Sequence, residues 1–194
     1  MPSTCSRARG RRVAVSIRVV AGSAKGRRLA APAGLLTRPT PNRVREAVFN
    51  SLYSLDAIEG AQVLDLFAGT GALGIEALSR GAAEAVFVER DQTVAAVLRS
   101  NLEATGLAHA ASVMVVDVET ALDGLAGRRF HVALVDPPYA FDDWPQLLSG
   151  VPADLVVAES DRPVDVGPRF AIHHHRRHGG TVVTFAQAAQ RPSG

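Results

Sequence analysis

Carboxylates are missing from the first 45 residues. Eleven arginines and lysines fall there, and Glu46 is the first acidic residue. The formal net charge of +2 therefore conceals a basic front end on a body that is acidic on balance. Such asymmetry points to a polyanionic partner met by that end. Lysine is nearly absent as well: of 21 basic residues only Lys25 is not arginine, a usage that genome composition explains as readily as function. One cysteine, Cys5, excludes an internal disulfide and fits a reducing compartment, so a cytoplasmic location is expected. No run of about 18 apolar residues exists, which excludes a membrane-spanning helix. Arg11-Arg12 before an apolar run faintly resembles an export signal, but Arg18 interrupts a run already too short. Internal repeats are absent, as are low-complexity tracts beyond the arginine-rich start.

What remains is a chain of 194 residues, 47% hydrophobic, of a size for one globular domain with a small appendage. Residues 1–12 read as a basic, disordered tail. Residues 13–55 read as an N-terminal extension: a hairpin from Val13–Ala21 and Arg27–Ala30, then a helix from Pro41 to about Leu55. Thr40 before Pro41 is a helix start, an N-cap followed by proline at the first helical position. Val44, Val48 and Leu52 give that helix an apolar stripe from which Arg43 and Asn50 project.

From residue 56 onward strands and helices alternate. Strands are expected at 62–67, 83–89, 112–116, 131–135 and 155–159, and helices at 72–79, after Asp91 to Gly106, and at 119–125. Two last strands, 169–175 and 181–185, join at Gly179-Gly180. The pattern predicts a doubly wound, Rossmann-like α/β fold with a seven-stranded sheet whose last strand is antiparallel.

The centre of this scheme is Val63 to Gly74, a buried strand, a glycine turn and a helix start. Gly69 and Gly71 let backbone approach a ligand, and Gly74 lets the helix pack close to the sheet. A dinucleotide fold would bring pyrophosphate to such a turn, but Asp65 stands just before it. A carboxylate there repels phosphate and suits a ligand carrying ammonium and sulfonium charge, such as S-adenosylmethionine. Four acidic residues fall at successive strand ends: Asp65, Glu89, Asp117 and Asp136. Ligands of open parallel sheets bind beyond those ends. Glu89 lies 20 residues past Gly69, where an acidic residue accepts ribose hydroxyls. Asp117 would accept the adenine amino group while the Val118 amide donates to the ring. Asp65 would face the methionine end. Phe67 and Arg90, beside Asp65 and Glu89, join the cofactor-binding set, as does Asp136.

The most specific signal is Asp136-Pro137-Pro138-Tyr139. Two prolines directly after a strand fix an extended turn and remove two backbone donors. The Asp136 carboxylate and the Pro137 carbonyl can then accept from one amino group. The exocyclic amine of a base is a poor nucleophile, because its lone pair is delocalised into the ring. Two acceptors on its hydrogens help it pyramidalise and aim the lone pair at a methyl donor, so positioning supplies most of the catalysis. Tyr139 would stack on the base, worth about 1–3 kcal/mol.

Together, the glycine turn, Glu89, Asp117 and the Asp-Pro-Pro-Tyr resemble a class I SAM-dependent amino-methyltransferase. The segments Arg18–Gly22, Lys25–Leu29, Thr37–Thr40 and Arg43–Asn50 narrow the likeness to the bacterial 16S rRNA guanine-N2 methyltransferase family (RsmD-like), over about Arg18 to Phe185. The resemblance implies methylation of a guanine 2-amino group in 16S ribosomal RNA, within a small ribosomal subunit or an assembly intermediate. A monomer with no metal and no membrane partner is expected. The resemblance puts Arg38, Thr40 and Arg43 beside the active site, with Lys25, Arg27 and Arg28 as further RNA contacts.

Two features depart from the family pattern. Residues 140–153 hold two prolines and a short apolar set around Trp144, Leu147 and Leu148, so the crossover there is abbreviated. His173-His174-His175 and His178 admit a metal reading, but alternation along a strand leaves only His173 and His175 on one face. A polar strand near RNA is the preferred reading. Two rival functions are a DNA adenine-N6 methyltransferase, since the four-residue motif serves both amines, and a non-catalytic RNA-binding assembly factor.

Overall fold

The computed structural model describes residues 17–32, 42–138 and 140–189. The expected tail 1–12, the helix start at Thr40-Pro41, and three site candidates, Arg38, Thr40 and Tyr139, lie outside them.

Five valine- and alanine-rich runs form the parallel body of one sheet: β3 (Gln62–Leu66), β4 (Glu84–Val88), β5 (Ala111–Met114), β6 (Phe130–Val135) and β7 (Ala153–Ser160). The last two strands, β8 (Phe170–His178) and β9 (Thr181–Ala188), complete seven. The order is β5-β4-β3-β6-β7-β9-β8, with β9 antiparallel to both neighbours. From β3 the chain steps outward to β4 and β5, then returns to place β6 on the other side of β3. The topological switch point, where open sheets bind ligands, is therefore the β3/β6 boundary.

Helices α1 (Asn42–Ser54), α2 (Ala72–Ser79) and α3 (Gln92–Thr105) cover one face, packing Phe49, Leu52, Ile75 and Leu98 on Val63, Val132 and Val157. On the other face α4 (Val118–Gly124) and α5 (Trp144–Ser149) pack Ala121, Trp144 and Leu148 on Leu64, Ala133 and Val156. Full burial of a side chain such as Leu52 contributes about 1.5–3 kcal/mol. Asp91 caps α3 by accepting from the Thr93 and Val94 amides, and Gly106 closes it at φ 78°. The crossover before β7 is short: α5 has six residues with Pro145 in its first turn. No helix of the described residues is long and apolar enough to cross a membrane.

Four expectations need correction. Among the described residues the N-terminal hairpin pairs only β1 (Ile17–Arg18) with β2 (Arg28–Leu29), so the strand expected to reach Ala21 ends at Arg18. Val19 still donates to the Arg27 carbonyl at 3.0 Å, but the next two backbone amides turn to the body of the protein: Val20 and Ala21 donate to the Glu76 carboxylate at 2.7 and 3.0 Å. Strand β5 stops at Met114 rather than Val116. Strand β8 runs on to His178, because β9 offers a partner at every position from His174 to the turn. The register of β8 also slips between Ile172 and His174, so His173 has no partner there, and the simple alternation expected to put His173 and His175 on one face does not hold.

Candidate active site at the carboxyl edge

The glycine turn is built by its own carboxylate. Asp65, 1% exposed at the end of β3, accepts the Gly74 amide at 2.8 Å and so holds the first turn of α2 onto the strand. A Cβ on Gly74 would lie 2.3 Å from the Phe87 ring and 2.9 Å from Asp65 Oδ2, so only glycine allows this approach. Gly71, in the left-handed region at φ 80°, is closed in by protein: a Cβ would meet Leu98 at 2.1 Å. Gly69 differs. At φ 55°, its Cβ would have no neighbour closer than the Phe67 carbonyl at 3.9 Å, so it is Gly69 that faces open space. Gly71 lacks a side chain for packing, whereas the sequence suggested ligand approach for both.

Phe67 also has positive φ, 61°, which is costly for an aromatic residue and is found where surrounding structure enforces it. Its ring lies 6.1 Å from that of Phe141, which in turn meets Trp144 edge-on at 5.4 Å. The Phe141 amide donates to the Pro138 carbonyl at 2.9 Å, closing the proline corner. These contacts join the glycine turn of β3 to the corner after β6. Phe141 and Trp144 form a wall that the abbreviated crossover supplies. Sequence reasoning missed Phe141, although its place two residues after Tyr139 was a signal.

Asp136 ends β6 on the same side of the sheet as Asp65, with Leu134 and Asp65 in register. Pro137 is buried, and Pro138 is exposed. Burial first, then the nearby charges of Asp136 and Glu89, push the Asp65 carboxyl up to about 7, against the opposing pull of the Gly74 amide. Glu89 and Asp136 thus make one acidic cluster with Asp65. Half-buried Glu89 accepts the Gly69 amide at 3.0 Å through Oε2 and the Asp91 amide at 2.8 Å through Oε1. Arg90 beside it is exposed.

Asp117 is exposed and caps α4, accepting the Thr120 amide at 2.7 Å; this hydrogen bond holds its carboxyl below the usual range. Val118 begins α4, where backbone amides have no partner within the helix. A concavity of about 270 Å³ between β4 and β5, lined by Glu84 and His109, contains none of these residues. Among the described residues no group of three or more His, Cys, Asp or Glu is arranged to hold a metal ion.

The N-terminal extension is fastened to α2 and α3 by side chains the sequence reading did not single out. Asn101 of α3 accepts the Ala30 amide at 2.8 Å and donates to the carbonyls of Ala30 and Thr70 at 3.1 and 3.0 Å, so the end of the hairpin is tied to the glycine turn. Buried Glu76 takes Val20, Ala21 and Arg80 and pairs with Arg45 of α1 at 3.5 Å. Ser79 holds the Ala24 amide at 3.0 Å, and Gly22 passes so close to Ser79 that no Cβ fits. The signal for Arg45 and Glu76 was a charge inside each helix's apolar stripe. Arg43, Lys25, Arg27 and Arg28 are exposed.

Comparison with known proteins follows the same lines. A solved structure from Thermus thermophilus superposes with a TM-score of 0.76 at 33% identity, covering 89% of this chain and 99% of that one. YlbH of Bacillus subtilis (strain 168) is 41% identical over 159 residues, 77% of this chain and 85% of its own. Ribosomal RNA small subunit methyltransferase D of Escherichia coli (strain K12) is 43% identical over 125 residues, 63% of this chain and 60% of that protein. The family model described as Conserved hypothetical protein 95 matches residues 17–187, from the first strand of the hairpin to the last strand of the sheet, and the chain belongs to that family.

Proposed function

We propose that the protein transfers a methyl group from S-adenosylmethionine to the exocyclic 2-amino group of a guanine in 16S ribosomal RNA. In this reading it acts in the cytoplasm, as a monomer, on a small subunit or an assembly intermediate. The observation that carries it is the meeting of the Asp136-Pro137-Pro138 corner with the glycine turn at the β3/β6 switch point. The relative named ribosomal RNA small subunit methyltransferase D supports ribosomal RNA as the substrate class.

The residues present fit the cofactor. A cluster of three carboxylates, whose member Asp65 is pushed up first by burial and then by the charges of Asp136 and Glu89, suits a ligand with ammonium and sulfonium charge, and Gly69 leaves room beside the cluster. When bound, S-adenosylmethionine supplies an electrophilic methyl group. Glu89, whose carboxylate oxygens keep lone pairs beyond those given to Gly69 and Asp91, would hold the ribose hydroxyls. Asp117 and the Val118 amide would read the adenine. Asp65 would act through the turn it holds. Phe67 and Arg90 would line the same pocket.

Asp136 and the Pro137 carbonyl accept the two hydrogens of the guanine amine and direct its lone pair to the methyl. Asp136 then takes the proton the amine sheds and, being only partly buried, passes it to solvent. Tyr139 would stack on the flipped base, and flipping costs a few kcal/mol, less for an unpaired base. Arg38, Thr40, Arg43, Lys25, Arg27 and Arg28 would offset that cost through phosphate contacts. The test is to incubate the protein and labelled S-adenosylmethionine with stripped 16S ribosomal RNA, small subunits or DNA, and to identify the methylated nucleoside by mass. N2-methylguanosine in RNA is the expected product; N6-methyladenine in DNA, or no transfer to any substrate, would overturn the proposal.

A further inference from the structure

After Asp165 the chain contains no acidic residue, yet four histidines and four arginines follow. Most of them lie on β8, the edge strand of the sheet. His173, His175, Arg176 and Arg177 are exposed, and among the described residues neither Arg176 nor Arg177 has an ion-pair partner. Exposed Asp161, which follows β7, is paired with Arg162. His174, stacked on Phe185 at 4.5 Å, is held below its ordinary pKa by burial and then by His173, Arg176 and His175, with no carboxylate opposing them. Among the described residues no ion pair compensates the arginine charge of this strand.

The register fixes where that charge lies. Leu66 pairs with Val135, Val135 with Ala158, Ala158 with Thr184, and Thr184 with His175. These residues make one row across the sheet. Asp136 is the next residue beyond the row on β6, and Arg176 is the next beyond it on β8. Arg176, Arg177 and His178 therefore stand at the same edge as the candidate site, three strand spacings or about 14 Å from β6. Arg176 and Arg177 pair with Val183 and Val182, which put their side chains on opposite faces of the edge. As an edge strand, β8 also turns unpaired backbone amides outward. Two cations flanking a row of donors fit the phosphodiester backbone of a polynucleotide.

We propose that the C-terminal half of β8, centred on Arg176 and Arg177, is a second RNA-backbone contact, at the same edge of the sheet as the base-accepting corner. This deepens the proposed function and rests on it. The rival explanation is that the charges only keep an edge strand from pairing with other copies.

The test compares wild type, the double variant R176A/R177A and the charge-conserving R176K/R177K. Binding to 16S ribosomal RNA stripped from small subunits is measured from 50 to 200 mM salt, with methyl transfer to that RNA and to intact subunits. Each single-strand phosphate contact contributes about 0.7 to the salt slope, so the alanine pair should lower the slope by about 1.4 and weaken binding roughly tenfold. Affinity for S-adenosylmethionine and the melting temperature should not change, and the lysine pair should restore binding. Wild-type slope in the alanine pair, loss in the lysine pair as well, aggregation with normal RNA affinity, or an effect on intact subunits alone would each overturn the proposal. If wild type neither binds nor methylates ribosomal RNA, the functional reading falls and this inference with it; if wild type does both and the alanine pair matches it, only the β8 contact falls.

Discussion

Glu89 Oε2 accepts the Gly69 amide at 3.0 Å, across the boundary between β4 and the turn that follows β3. The acidic residue proposed to hold a ribose is thus also a brace for the glycine turn. Its other oxygen braces the entry to α3 through the Asp91 amide. One carboxylate fixes the backbone of two neighbouring loops, so the pocket's shape and its proposed chemistry depend on the same side chain.

Glu89→Gln should therefore do more than remove a charge. An amide side chain has one acceptor oxygen and one donor nitrogen, so it cannot accept from both backbone amides in this geometry. Charge-assisted hydrogen bonds are worth about 1.5–3 kcal/mol, so affinity for S-adenosylmethionine should fall roughly 10- to 100-fold. Calorimetric titration of wild type and variant checks this, and an unchanged affinity would remove Glu89 from the pocket.

Asp136→Ala should separate chemistry from cofactor binding. Its proposed partner is the substrate amine, so turnover should fall by at least roughly 10²-fold while cofactor affinity stays near wild type. Single-turnover methyl transfer and equilibrium cofactor binding are the paired measurements. Equal loss in both would make the carboxylate a cofactor ligand or a structural group.

Asp65 gives a pH dependence whose sign is fixed. Its carboxyl is pushed from 3.8 up to about 7 in the fold. Between those values the folded state holds a proton that the unfolded chain has lost, so stability from this group falls as pH rises from about 4 to 7. Asp65→Asn, which keeps an acceptor for the Gly74 amide, should flatten that decline in melting temperature against pH. A cationic ligand favours the ionised carboxyl, so cofactor binding should release a proton and tighten as pH rises through about 7. Calorimetry in buffers of different ionisation enthalpy reads the proton directly.

The sheet, the α2 boundaries and the acidic residues at the strand ends were legible because short, doubly buried strands and capped helices leave strong local patterns. Asp117 and Asp91 could be read as caps from their place before a helix. What local pattern does not encode is which non-local partner takes a backbone amide. The amides of Val20 and Ala21 read as strand donors until Glu76, 56 and 55 residues away, accepts them. The slip at His173 is likewise a property of β9 as much as of β8. Gly71 and Gly69 look alike in sequence, and only the position of Leu98 distinguishes a packing glycine from one facing open space.

Gly74→Ala probes the closeness of α2 to the sheet. The added Cβ would fall 2.3 Å from the Phe87 ring and 2.9 Å from Asp65 Oδ2, so helix, ring or carboxylate must shift. Overpacking of this kind costs about 1–3 kcal/mol. Because the shift disturbs the Asp65–Gly74 hydrogen bond, cofactor affinity should fall together with the melting temperature. A loss of stability with full cofactor affinity would show that the turn tolerates displacement of α2.

Arg45 is the remaining test, because it joins the extension to the body. Its guanidinium is fully buried and held below its ordinary pKa by burial, while Glu76 and Glu159 act to raise it. It donates to the Arg18 carbonyl and to Asn42 Oδ1, the latter at 2.9 Å. Arg45→Met preserves much of the volume but leaves two buried carboxylates short of a cation. Breaking such a pair from one side costs about 3–5 kcal/mol, against near neutrality when all partners are replaced together. The single variant should thus melt roughly 10 °C lower, by the usual scaling for a domain of this size. Amide exchange at Val20 and Ala21 should accelerate, since Glu76 is then drawn from its hairpin partners. Adding Glu76→Gln should recover little, because that change also weakens the acceptors of those two amides; full recovery in the double variant would show that the pair does not anchor the hairpin.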